Sequence, residues 1–497
     1  MKTSEKDKDG NRKRIRPLAR QVSASSPSVA PAASGVRLKK LLVPIDFSEP
    51  SLKALKYAVA FAGRVLGTIS AAMIVVAALL GLLMPFVITV LAPGFAGHEA
   101  LQFAVNDARL MLPYLAFAGP VTVMLALASA ESRFALTAFS PVLFNVALIA
   151  MMIVLIAMRP DAGMAALILA ATVGVAGLLQ LSILVLRRRG DVAATPLRVS
   201  VDPEMRAFLG RALPGMIASA APQLLIVAGA VIASASPSAV SWLYFANRLI
   251  ELPLGMVGVA MGTVLIPELT RALRGNDKRA IGHAESRALE LATGLALPAT
   301  LGLIVLSEPI VRLLFEHGAF TAADTAATAQ AMVFLALGLP AQVLVKALSP
   351  AFFAREDTLA PLWATLKAIV VAIVCSVLLG HFFGAAGIAA GIALGAWSNA
   401  LSLIRQGAAS FGFSVDRAAR RRLPRIAAAA LMMGGLLWLS ITFIAHPMHG
   451  PAQAAILLLL IIGGIAVYAL FLGLLAVTSW REAVNAIRQG KPRDLRA

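Results

Sequence analysis

Cysteine is nearly absent: the 497-residue chain holds one, Cys375, inside an apolar run. A lone thiol excludes an intramolecular disulfide and a multi-cysteine metal site, and says nothing of the redox compartment. Acidic residues are also scarce, 25 against 44 Lys and Arg, and charged residues of both signs make up only 14% of the chain. The six His are scattered without metal-ligand spacing. No Gly-rich phosphate loop of the Walker type is present, so no ATPase is built in. No Ser/His/Asp or Cys/His arrangement can be argued. These gaps predict a protein that is not an enzyme and has no catalytic residues, no cofactor and no metal.

What is abundant is apolar surface. Hydrophobic residues make up 59% of the chain, and the mean hydropathy is +0.84. A soluble protein of this size has no use for so much apolar area. A bundle of membrane-spanning helices does, because lipid solvates apolar side chains and obliges every backbone group to pair internally. The net charge of +19 would raise nucleic-acid binding in a soluble protein. Here the basic residues form short clusters between apolar runs, which is the pattern of cytoplasmic loops, so nucleic acid is not an expected partner.

Residues 1–36, rich in Lys, Arg, Ser, Pro and Ala, read as a disordered basic arm without the apolar core of a signal peptide. Twelve later stretches meet the roughly 20 apolar residues that a spanning helix needs. They lie near 66–92, 107–129, 134–158, 161–186, 205–235, 237–268, 285–315, 324–352, 359–382, 384–405, 424–445 and 451–479. Arg187, Arg188, Arg189 and Arg198 follow the fourth run. Arg271, Arg274, Lys278, Arg279 and Arg287 follow the sixth, Arg405, Arg417, Arg420, Arg421, Arg422 and Arg425 cluster around the loop after the tenth, and Arg481, Arg488, Lys491, Arg493 and Arg496 form the tail. Connections such as 234–238 and 446–453 carry no Lys or Arg. Every basic loop thus follows an even-numbered run, which predicts that both termini are cytoplasmic.

An ionisable group at membrane depth is costly and therefore a functional candidate. The sixth run carries Asn247-Arg248-Leu249-Ile250-Glu251. If its helix starts near Ser238, Arg248 lies about ten residues in, roughly 15 Å deep. Arg248 and Glu251, three apart, share a helical face. They predict an arginine in a hydrated cavity that binds an anionic group, with Glu251 positioning it; the structural alternative is a pair that only pins helices together. Arg133 and Asn145 join them as candidates, although interfacial anchoring is the default for Arg133. For Asn145, as for Gln180, Gln223 and Asn399, the default is an interhelical hydrogen bond. Lys346 and Lys367 lie close enough to cytoplasmic helix ends to snorkel, and Arg355 sits at such an end.

Several stretches carry a family resemblance: LAPGF (91–95), LPYLAF (112–117), SRFALTAFSPVLFNVALI (132–149), ANRLIELPLGMVGVAMGTVLIPELTRAL (246–273), LLFEHGAFTAADT (313–325) and ALGLPAQVLVKALSPAFFAREDT (336–358). From about residue 66 onward the chain resembles the MviN/MurJ family of lipid II flippases. The resemblance implies an all-α, two-lobed fold of the multidrug/oligosaccharidyl-lipid/polysaccharide exporter superfamily, normally with fourteen spanning helices. It also implies a cationic cavity for a diphosphate headgroup and alternating access. Arg248 and Glu251 match the family's cavity Arg and Glu, while Asn247 stands where relatives often have Asp. Lys346 is a gating or structural candidate. Ser349, Pro350 and Arg355 match a pattern that looks structural or gating. Residues 424–479 resemble the pair lining a lipid-tail groove.

The front departs from that pattern. Residues 37–65 resemble the opening strand and helix of universal stress proteins, with Leu41–Ile45 as a strand, Asp46 at its end, and an amphipathic helix over Ser51–Leu66. About twelve helices are expected, the family's first two having no counterpart. The expected domains are 1–36 (arm), 37–65 (strand-helix remnant), 66–235 (incomplete N-lobe), 236–405 (C-lobe), 406–480 (C-terminal helix pair) and 481–497 (basic tail). The expected partners are a lipid-linked disaccharide-pentapeptide, membrane lipids and cell-wall synthesis proteins, with the chain itself a monomer. Two rivals stand beside this reading: another exporter of the same superfamily, and a truncated remnant that does not transport.

Overall fold

The computed structural model describes residues 49–95, 99–130, 134–186, 198–260, 278–413, 415–444 and 451–477. Helices α1 to α13 carry the described chain: α1 Glu49–Leu91, α2 Glu99–Ala130, α3 Phe134–Met158, α4 Ala162–Leu186, α5 Pro203–Ser219, α6 Ala221–Ala233, α7 Pro237–Ala260, α8 Lys278–Val305, α9 Ser307–Phe315, α10 Ala322–Phe353, α11 Leu359–Phe411, α12 Arg417–Ile444 and α13 Pro451–Leu474. No strand occurs among the described residues. The chain divides into residues 1–59 and residues 60–497.

The described part of each of the twelve apolar runs is largely helical, although the fifth is split between α5 and α6, the seventh between α8 and α9, and the ninth and tenth share α11. Residues 261–268 of the sixth, 445 of the eleventh and 478–479 of the twelfth lie outside the described residues. Nine helices among the described residues are long and apolar enough to cross a membrane, or ten if the bent pair α5 and α6 forms one span. That pair breaks by 60° at Ala220. Pro222, in the first turn of α6, needs no intrahelical N–H there, so a new helix can start without an orphaned donor. Asp202 caps α5 by accepting from the Met205 N–H at 2.8 Å, and this hydrogen bond, with that from Ser200 Oγ, holds its carboxyl below the usual carboxylate range. The proposed separate helix over Ser51–Leu66 is instead the first part of α1. The strand at Leu41–Ile45, Asp46, the basic arm and the tail lie outside the described residues.

The ninth and tenth runs are two arms of α11, reversed at Gly384, whose φ of 56° and ψ of −134° suit only a residue without Cβ. A Cβ on Gly387, Gly391 or Gly395 would strike Leu379, Ser376 or Ala372 of the other arm. Three glycines at four-residue spacing thus let two backbones pack as closely as membrane helices can. Ser376 Oγ donates to the Ile388 carbonyl at 3.1 Å across this contact.

A large core joins α6, α7, α8, α10 and α11 around Ile250, Met332, Leu335, Leu339, Ile392 and Leu403. Gly229 of α6 packs on Ile392 of α11. On the other side of the chain, α2 packs on α4 through Gly177 against Tyr114. Gln180 of α4 donates to Ser140 Oγ of α3 at 2.6 Å, both buried. The LAPGF stretch ends α1 in a short 3-10 turn, Pro93–Phe95. There Gly94 lies against the Ser234 backbone, and its N–H donates to Ser234 Oγ at 3.2 Å.

Candidate functional site

The polar residues of α7 form one continuous arrangement. Asn247 Nδ2 donates to Glu251 Oε1 at 3.0 Å, and Arg248 Nη1 pairs with Glu251 Oε2 at 3.0 Å. The helix creates this fork, since residues three and four apart lie on one face. Each carboxylate oxygen thereby takes one donor, and Arg248 is held in place without being covered. Its side chain is 64% exposed, which separates it from a charge buried to pin helices. Only one of its five N–H donors is used in this pair, leaving the planar fork open to a bidentate oxyanion.

Lys346 of α10 comes to the same place. Its Nζ lies 3.5 Å from the Leu254 carbonyl of α7, with Gly258 leaving space for the amine. Leu254 lies three residues beyond Glu251 on α7, so the half-buried amine sits one turn from the carboxylate. The structure therefore brings together Asn247, Arg248, Glu251 and Lys346, two cations and one anion along the α7–α10 seam.

The other candidates lie elsewhere. Arg133 lies outside the described residues. Asn145 is exposed near the middle of α3 and donates to its own helix, to the Pro141 carbonyl at 3.1 Å. Lys367 is exposed on α11, Gln223 is exposed on α6, and Asn399 is buried with its Oδ1 unpartnered among the described residues. Ser349 donates to the Val345 carbonyl at 2.8 Å inside α10, one residue before Pro350. Arg355 closes the end of α10. It pairs with Glu285 of α8 at 3.0 Å, its guanidinium carbon lies 3.8 Å from the centre of the Phe411 ring of α11, and it donates to Ala351 O at 2.7 Å. One side chain thus ties three helices together.

Sequence reasoning missed the clip at the opposite end of α7. Trp242 Nε1 donates to Asp324 Oδ1 at 2.8 Å. Asp324 also accepts from Thr321 in the capping box that starts α10. The Thr-x-x-Asp spacing announced the cap, but nothing local announced its tryptophan partner. Among the described residues no group of three or more His, Cys, Asp or Glu is placed to hold a metal ion.

A sequence model described as "Lipid II flippase MurJ" matches residues 35–457. The chain belongs to this family. The matched range also takes in residues 37–65, which sequence reading had set apart from it. A probable lipid II flippase MurJ of Rhizobium meliloti (strain 1021) is 33% identical over 427 residues, covering 85% of this chain and 80% of the relative. Another from Rhizobium tropici is 32% identical over 470 residues, covering 92% and 87%. The solved structure "Lipid II flippase MurJ, inward closed conformation" superimposes with a TM-score of 0.68 at 20% identity, covering 86% of this chain and 85% of that one. An inward-facing multidrug resistance MATE family transporter of the MOP superfamily gives 0.56 at 16% identity, covering 75% and 89%. The all-α exporter-like bundle expected from the sequence is therefore the fold observed, and the chain is a multi-pass membrane protein of the MurJ family.

Proposed function

We propose that the chain translocates lipid II, the lipid-linked peptidoglycan precursor, from the inner to the outer leaflet of a bacterial cytoplasmic membrane by alternating access. Family membership supplies the substrate class. The observation within this chain that carries the reading is Arg248, a guanidinium held by one carboxylate yet 64% exposed within the α7 helix. A diphosphate suits such a group, because the arginine fork meets two phosphate oxygens at once. Glu251 and Asn247 position it, Lys346 adds a second cation, and Arg133 and Asn145 complete the proposed substrate set. Ser349, Pro350 and Arg355 serve the helix junction that alternating access must loosen. Both termini face the cytoplasm, following the basic loops. The driving force is a membrane potential or an ion gradient, the working unit is a monomer, and its associates are membrane lipids and cell-wall synthesis proteins.

The test is complementation of a bacterium depleted of its own lipid II flippase, with membrane protein quantified by blot. The parent chain should restore growth, and Arg248→Ala at equal abundance should not. Normal growth of Arg248→Ala would remove the arginine from the mechanism. No growth with abundant parent protein would replace transport with the remnant reading.

A further inference from the structure

Five arginines crowd the first three turns of α12: Arg417, Arg420, Arg421, Arg422 and Arg425. Cations at a helix N-terminus oppose its dipole, so the helix gains nothing from them. Arg422 pairs with Glu290 of α8 at 3.3 Å, and Arg425 donates to the Leu475 carbonyl at 3.3 Å. Arg417, Arg420 and Arg421 are exposed and have no carboxylate within ion-pair distance among the described residues.

Arg420, and the exposed Arg405 of α11, lie on helices that wall a cavity, beyond its lining residues. An apolar groove of about 610 Å³ runs between α8, α10, α11 and α12, lined on α11 by Leu394 and Trp397 and on α12 by Ala427 and Leu431. At 3.6 residues per turn, Leu401 and Arg405 continue the face of Leu394, seven and eleven residues on. Ala427 and Leu431 stand seven and eleven residues beyond Arg420 on one face of α12. Arg405 is about 12 Å past Trp397 along α11, and Arg420 about 10 Å before Ala427 along α12. Because α12 follows α11 after a short connection, the two arginines lie at the same end of the groove. Two carboxylates stand near that end, and both are engaged: Glu290 pairs with Arg422 at 3.3 Å, while Asp416, one turn before Arg420, accepts from the Ala419 N–H at 2.6 Å and faces His283 at 3.4 Å. Lys346 and groove-lining Leu337 are nine residues apart on α10, half a turn out of phase, so the groove and the α7–α10 site occupy opposite faces of that helix.

We propose that this groove is a resident-lipid site: it takes an acyl chain of an anionic diacyl phospholipid whose phosphodiester sits between Arg405 and Arg420. The cavity falls within the roughly 300–1,000 Å³ of ligand pockets. Its apolar walls suit a hydrocarbon chain, and paired guanidinium groups at the headgroup end select a net negative lipid. The assignment of this lipid to the cytoplasmic leaflet rests on the orientation proposed above; the site itself does not.

Spin-labelled phosphatidylglycerol and spin-labelled phosphatidylcholine, each in phosphatidylcholine vesicles holding the full chain, test it through the motionally restricted fraction. The parent chain should restrict phosphatidylglycerol several-fold more than phosphatidylcholine. Arg405→Gln with Arg420→Gln should bring the two probes level. Arg417→Gln with Arg421→Gln, which removes equal charge off the groove face, should keep at least half of the preference. Leu431→Trp, which fills the groove and leaves every arginine, should also reduce it. Equal loss in both double variants would mean a diffuse basic belt and overturn the site, as would no preference in the parent chain. Displacement of the label by lipid II would assign the groove to the substrate's own chains and overturn it as well. The readout needs no transport, so a chain that fails complementation yet keeps the lipid preference loses only the flippase reading.

Discussion

The helices α1–α3 and the helix α10 solve the same problem in different ways. The most apolar stretch of α10 is 72% buried within the protein, whereas those of α1 and α3 are each 6% buried. In water the second figure would mark a helix unable to stay folded. In a bilayer it marks a helix whose side chains meet lipid, because hydrocarbon solvates Leu as well as a protein interior does. What holds the inner helices together is closeness: Gly338 lies against Ala393, and Gly387, Gly391 and Gly395 let the arms of α11 touch. Small residues, rather than large apolar ones, therefore mark the structural centre.

That contrast can be broken deliberately. Gly391→Val should have the largest effect, since its side chain would enter the Ser376 backbone; a loss above about 3 kcal/mol is expected, read as collapse of the thermal unfolding midpoint in detergent. Gly302→Ala, where nothing lies within 4 Å, should leave that midpoint nearly unchanged, and equal damage at both positions would refute the packing argument. Arg355→Ala comes next. It strands Glu285, whose side chain is 6% exposed, and should cost about 3 kcal/mol, with Glu285→Gln in the same chain recovering part of the loss. Between α3 and α4, Gln180→Leu removes one buried interhelical hydrogen bond and should cost about 1 kcal/mol.

The smallest effect is one of pH. The Ala419 N–H, with help from His283, holds the Asp416 carboxyl below its usual value. A carboxyl with a lowered folded-state pKa adds stability that is complete above its unfolded-state pKa and fades as pH falls through the folded one. Unfolding midpoints should therefore drop slightly more below pH 4 in the parent chain than in Asp416→Asn. Identical profiles would deny the cap any part in acid sensitivity.

Most of the fold was legible because membrane helices announce themselves by length and apolarity, although two of the twelve runs are split between helices and two share one. Even the break between the ninth and tenth runs was readable, at the glycine where the chain reverses. Where α1 begins was not, since Lys53, Lys56 and Arg64 look like the polar face of a surface helix until the rest of the chain is in place. The candidate site was half legible. Asn247, Arg248 and Glu251 lie within five residues, so helical periodicity alone joined them. Lys346 is 98 positions from Arg248, and only the packing of α10 on α7 puts it there. The partner of Arg355 was invisible for the same reason: Glu285 is 70 residues away.

The reversal at Gly384 also bears on how the protein is made. The arms of α11 are joined by a single non-helical residue, so no hydrophilic loop can wait at the membrane surface while the second arm is synthesised. Residues 380–387 hold no Lys or Arg to anchor the turn on one side. The insertion machinery must therefore accept both arms as one hairpin, oriented by the charges at its base.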